Sequence, residues 1–122
     1  MQNLKRLTVD QVVDLMETHQ VTLVSGTYGF AMFDTETEGC ALSMLALREA
    51  GSLEKVREYF KPIIGPWQEK YQRLEAAWGF PANYLAGLER GFENLGASIY
   101  DVESREYDAG VKDGMAIRRL VS

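Results

Sequence analysis

The run Cys40-Ala41-Leu42-Ser43-Met44-Leu45-Ala46-Leu47 is apolar almost all round a helix, and Gly51 closes it. A surface helix carries one apolar stripe, whereas a helix apolar on every side has to be surrounded by other elements. The remaining chain must therefore wrap this segment, and 122 residues in a single globular domain, 1–122, suffice to bury such a core. Ahead of the run, Phe30-Ala31-Met32-Phe33 reads as a strand and Asp34–Glu38 as a polar turn. The expected fold is α+β and predominantly helical. Five or six helices pack around a central apolar helix at about Cys40–Ala50, with a small β-hairpin or ribbon.

The wrapping helices are legible from caps and stripes. Thr8 and Gln11 have capping-box spacing, with Leu7 and Val12 placed as a hydrophobic staple. Val9, Val12, Val13 and Met16 share a stripe, so a helix is expected from Val9 to about His19. One strand is expected at Gly29–Asp34 and a second at Val21–Val24. Glu38-Gly39-Cys40 is expected to fold back onto the Gly29–Asp34 strand. After Gly51, Ser52 caps a helix from Leu53 to about Lys61, stopped by Pro62 and Gly65-Pro66. Pro66 suits the first turn of the next helix, along which Trp67, Tyr71, Leu74 and Trp78 form a narrow stripe of large side chains. A helix from Phe80-Pro81 to Leu95 carries Leu85, Leu88, Phe92 and Leu95. A last helix, about Ser104–Val121, has Val111, Met115, Ile117, Leu120 and Val121 as expected buried positions.

Two of these helices echo each other. Tyr84-Leu-Ala-Gly87-Leu-Glu-Arg-Gly91 and Tyr107-Asp-Ala-Gly110-Val-Lys-Asp-Gly114 both read Tyr-x-Ala-Gly-x-x-x-Gly, 23 residues apart. Glycine inside a helix costs about 1 kcal/mol relative to alanine. Four of them in two helices imply a compensating gain: close approach of the backbones, with the tyrosines at one end. No apolar segment of about 20 residues surrounds either copy, which sets aside the membrane form of this motif.

Charge and composition exclude several function classes. A net charge of −5 repels phosphate backbones, and the cations are dispersed, so nucleic-acid binding is not expected. No run reaches the roughly 18 apolar residues of a spanning helix, and no apolar segment follows Lys5 and Arg6 as in a leader. With Met1 at its start the chain reads as a whole small reading frame. A single cysteine, Cys40, precludes an intrachain disulfide, and a cytoplasmic location is expected.

Candidate chemistry is sparse. Cys40 follows Gly39 at the start of the central helix, where the helix dipole favours a thiolate. A thiol enzyme would also need a base, and the only histidine, His19, ends the first helix. The plainer expectation is a small buried side chain. Asp34, Glu36 and Glu38 alternate through the turn and are weak candidates for a hard cation; a solvated turn is the plainer alternative. Trp67, Tyr71, Leu74 and Trp78 are candidates for an interface or a ligand wall, since Trp and Tyr anchor interfaces, with core packing as the alternative. Phosphate-binding loops, dinucleotide fingerprints, zinc spacings and serine elbows are absent from the sequence, and no cofactor is expected. The functional expectation is a protein–protein interaction or adaptor module, with a homodimer or another protein as partner. The rivals are a thiol-dependent enzyme using Cys40 and a small-ligand binder using the aromatic stripe.

Overall fold

A computed structural model describes residues 5–24, 38–60, 68–93 and 105–121. Among them are six helices: α1 (Val9–His19), α2 (Ala41–Ala50), α3 (Leu53–Phe60), α4 (Gln68–Trp78), α5 (Ala82–Glu93) and α6 (Arg105–Arg118). Two short strands, β1 (Thr22–Leu23) and β2 (Glu38–Gly39), complete the predominantly helical α+β architecture.

Local chemistry sets the helix ends. The Thr8 hydroxyl accepts from the Gln11 N–H at 3.2 Å, and the Gln11 side chain accepts from the Thr8 N–H at 3.1 Å, completing the capping box of α1. Ser52 accepts from the Lys55 N–H at 3.2 Å and caps α3. Gly51 ends α2 at φ 89°, a left-handed conformation that its missing Cβ allows, and its N–H reaches the Leu47 carbonyl at 2.9 Å.

Residues 41–47 of α2 are buried without exception, as an all-round apolar helix requires. Around them lie Leu7, Val12, Val56, Leu74, Phe80, Leu85, Leu88 and Phe92, all within one core. Helix α5 is also heavily enclosed, because it packs against α2, α4 and α6. Leu85, Leu88 and Phe92 turn inward as expected, and Tyr84, Gly87, Glu89 and Gly91 are buried with them.

The ribbon is parallel, with Thr22 opposite Glu38 and Leu23 opposite Gly39, and the Val24 N–H extends it to the Gly39 carbonyl at 2.9 Å. A hairpin would run antiparallel, so β1 and β2 are not its two arms. The expected strand at Gly29–Asp34, the first residues expected of the Trp67 helix and the Leu95 end of the next lie outside the described residues.

The glycine echo is a helix crossing. A methyl group placed on Gly87 would run into the Tyr107 carbonyl oxygen and lie 3.0 Å from the Val111 nitrogen. One placed on Gly91 would meet the Val111 carbonyl oxygen and the Met115 nitrogen. Reciprocally, Gly110 faces the Tyr84 carbonyl oxygen, and Gly114 faces that of Leu88. Partners advance together along both helices, so α5 and α6 run parallel. Each contact has its counterpart 23 residues away, which is the mark of a local pseudo-two-fold axis between the helices. Backbones this close bring Cα–H groups toward carbonyl oxygens, a weak but repeated attraction.

That crossing corrects the expected burial of α6. Its inward face is Tyr107, Gly110, Gly114 and Ile117. Met115 is 54% exposed and Leu120 38%, while Val111 and Val121 are half-buried. Large apolar side chains were expected to turn inward, but the glycine face permits backbone contact, and Met115 points away from it. The helix also ends earlier than expected. Leu120 and Val121 donate back three residues, to Ile117 and Arg118, in a tightened final turn.

Candidate functional site

Among the described residues, two polar constellations border the apolar interior. The first gathers at the start of α2. Cys40, in extended conformation before the helix, donates its N–H to the Ser43 hydroxyl at 3.3 Å, and its Sγ lies 3.4 Å from the same oxygen. The thiol is only 2% exposed and Ser43 is fully buried. From α4, the Tyr71 hydroxyl donates to Glu89 Oε1 on α5 at 2.8 Å, and Glu89 is 8% exposed. Burial is the main cause that pushes the Tyr71 phenol far above its ordinary range. The Glu89 charge and hydrogen bond add to this, as does the nearby Cys40, while Arg90 opposes it. Thiol, phenol and carboxylate thus share a neighbourhood in which Tyr71 keeps its proton.

Cys40 therefore sits where a helix dipole would favour a thiolate, yet behind packed side chains. A small alkylating reagent is expected to label it slowly in native protein and rapidly in denaturant. Fast native labelling well below pH 8.5, about the usual thiol pKa, would instead mark an activated, accessible nucleophile.

The second constellation ties the N-terminal segment to the crossing helices. Arg6 makes two hydrogen bonds to Asp113, Nε to Oδ2 at 2.9 Å and Nη2 to Oδ1 at 2.7 Å. The Tyr84 hydroxyl donates to Asp113 Oδ2 at 2.7 Å and accepts from the Leu7 N–H at 2.8 Å. Donation to the Asp113 carboxylate raises the Arg6 pKa above its ordinary value, against a smaller opposing effect of burial. The Tyr84 phenol is also raised, chiefly by burial; the Leu7 N–H opposes the shift and Asp113 reinforces it. Arg48 on α2 completes the clasp, donating to the Arg6 carbonyl and to Gln11 Oε1, both at 2.6 Å. Its guanidinium also lies 5.7 Å from the Phe80 ring centroid, and Lys5 Nζ lies 5.6 Å from it.

Tyr84→Phe keeps the ring but leaves the buried Leu7 N–H without this acceptor and removes a donor to Asp113. We expect a loss of about 1–3 kcal/mol, read as a lower midpoint in urea. A midpoint equal to the parent's would mean that water replaces the hydroxyl at no cost.

The residues singled out from sequence fall as follows. Gly87, Gly91, Gly110 and Gly114 come together in one crossing. Tyr71 and Leu74 face the core, and Trp78 is half-buried against it. Trp67, Asp34 and Glu36 lie outside the described residues, and Glu38 is exposed on β2. Among the described residues, no group of three or more His, Cys, Asp or Glu side chains could hold a metal ion. His19 is half-buried at the end of α1.

Sequence reasoning passed over Glu89 and the Arg6–Asp113–Tyr84 clasp. Glu89 was detectable, since it follows Leu85 by four residues and precedes Phe92 by three, squarely on the apolar stripe of α5. Nothing local marks Arg6 and Asp113 as partners. Among the described residues no helix is long and apolar enough to cross a membrane. Compared with protein-family models, curated proteins and solved structures, this chain matches none.

Proposed function

We propose that the protein is a small interaction module that works by pairing with a second copy of itself, in the cytoplasm. The supporting observation is the outer face of α6. Its inner face is spent on α5, yet it carries Met115, 54% exposed, and the turn beyond it carries Leu120, 38% exposed. Large apolar side chains left at the surface, and Met especially, are the material of adaptable protein interfaces. The proposal places the partner surface on α6 rather than on Tyr71 and Leu74, which the chain covers itself. The single buried thiol suits a reducing compartment.

Sedimentation equilibrium across micromolar concentrations tests this. A mass rising from monomer to dimer is the expected result. Monomer mass throughout would sink self-association and leave an adaptor for a different protein as the remaining interaction reading.

A further inference from the structure

Charge on two outward helix faces suggests how such a pair would dock. On α1, Asp10, Asp14 and Glu17 are all exposed, at spacings of four and three residues that put them on one stripe opposite Val12 and Leu15. On α6, Arg105 and Lys112 are exposed seven residues apart, and Arg119 is exposed in the turn just beyond, with Met115 between the last two and Asp108 the single acid on that face of the helix. Among the described residues no salt bridge engages Asp10, Asp14 or Glu17, nor Arg105 or Lys112. A cationic stripe stands out on a chain of net charge −5.

Resting on the self-association proposed above, we infer that two copies dock about a two-fold axis, with the α1 acidic stripe of each against the α6 basic stripe of the other. Three features of the chain favour a second copy over other occupants. The chain carries both complementary surfaces, and they lie on two helices, α1 and α6, that pack against each other. A two-fold operation then satisfies both at once, because in such an interface each residue pair occurs twice. The spacings also agree: seven residues separate Asp10 from Glu17 and Arg105 from Lys112, a rise of about 10.5 Å in either helix. Finally, an ordinary interface takes about 800 Å² from each partner, roughly a tenth of the 7353 Å² surface of this chain. Two neighbouring helix faces can supply that. Opposed charges set orientation and exclude wrong partners, while Met115 supplies apolar contact within the stripe.

The test is a charge exchange on the full chain, followed by sedimentation equilibrium at low and high salt. Asp14→Lys and Lys112→Glu each place like charges in both copies of the contact. Each alone should weaken pairing by about tenfold or more, with the thermal midpoint unchanged at concentrations where the parent is monomeric, because both sites are exposed. Mixed together, they should form a heterodimer with pairing restored, and added salt should weaken the parent dimer. A parent dimer that survives both substitutions, with no gain on mixing, overturns this docking surface while self-association stands. Sensitivity to Lys112→Glu but not to Asp14→Lys also overturns it, and points to an acidic partner on α6. A monomeric parent overturns the self-association reading and this one with it.

Discussion

Gly91→Leu is expected to abolish stable folding, with Gly91→Ala already lowering the urea midpoint. In an exposed helix, alanine for glycine would gain about 1 kcal/mol. At Gly91 the added Cβ runs into the backbone oxygen of Val111 and lies 3.0 Å from the Met115 nitrogen, so no rotamer change relieves it. Either α5 and α6 separate, losing the contacts of Gly87, Gly110 and Gly114 as well, or α5 shifts against α2. Overpacking a tight site costs about 1–3 kcal/mol, occasionally more, and a leucine adds three further carbons at the same point. Total stability of a domain this size is about 5–15 kcal/mol. The pseudo-two-fold relation adds a check: Gly114→Ala, which meets the Leu88 oxygen and lies 2.6 Å from the Phe92 nitrogen, should lose as much as Gly91→Ala. A variant at either position as stable as the parent would show that the helices can move apart freely.

Leu45→Ala should lower stability by about 2–5 kcal/mol. Leu45 is fully buried in the middle of α2, a helix enclosed on every side between residues 41 and 47. Removing its isobutyl group leaves a cavity that surrounding elements cannot all collapse into, because α5 is itself held against α6 by backbone contact. Urea unfolding measures the loss directly. An unchanged midpoint would mean that α2 is not the load around which the core is packed. Ala46 gives a contrast at equal burial: Ala46→Gly deletes only one methyl group and acts mainly through helix propensity, about 1 kcal/mol.

Much of the helical frame was legible in the chain. The Thr8–Gln11 box, the Ser52 cap and the Gly51 terminus each involve residues within four positions of one another. The pattern of such contacts is written in neighbouring residues, although helices of 8 to 11 residues hold only once they are packed. The burial of α2 was legible for a similar reason, since a segment without a polar face offers solvent nothing to favour. The glycine faces were legible because their cost in helix propensity demands a return.

The functional candidates divide along the same line. Gly87, Gly91, Gly110 and Gly114 could be picked out because each sits in a repeated local pattern. The Tyr71–Glu89 bond spans 18 residues, Tyr84–Asp113 spans 29, and Arg6–Asp113 spans 107. Glu89 alone betrayed itself, by breaking an apolar stripe. The chain holds 18 acidic and 13 basic residues, so an arginine and an aspartate at its opposite ends have many possible partners in sequence, and only the packing of α6 beside the N-terminal segment selects this one.

By itself, the sequence determined that the chain folds into helices around α2 and where most of them start and stop, because caps, glycine stops and all-round apolarity act over single turns. Tertiary structure alone decided that β2 pairs in parallel with β1, and which face of α6 turns inward. Hydrophobic periodicity favoured burial of Met115 and Leu120. The glycine face prevailed because two backbones can approach only where side chains are absent, and that gain exists only once α5 is there to meet α6.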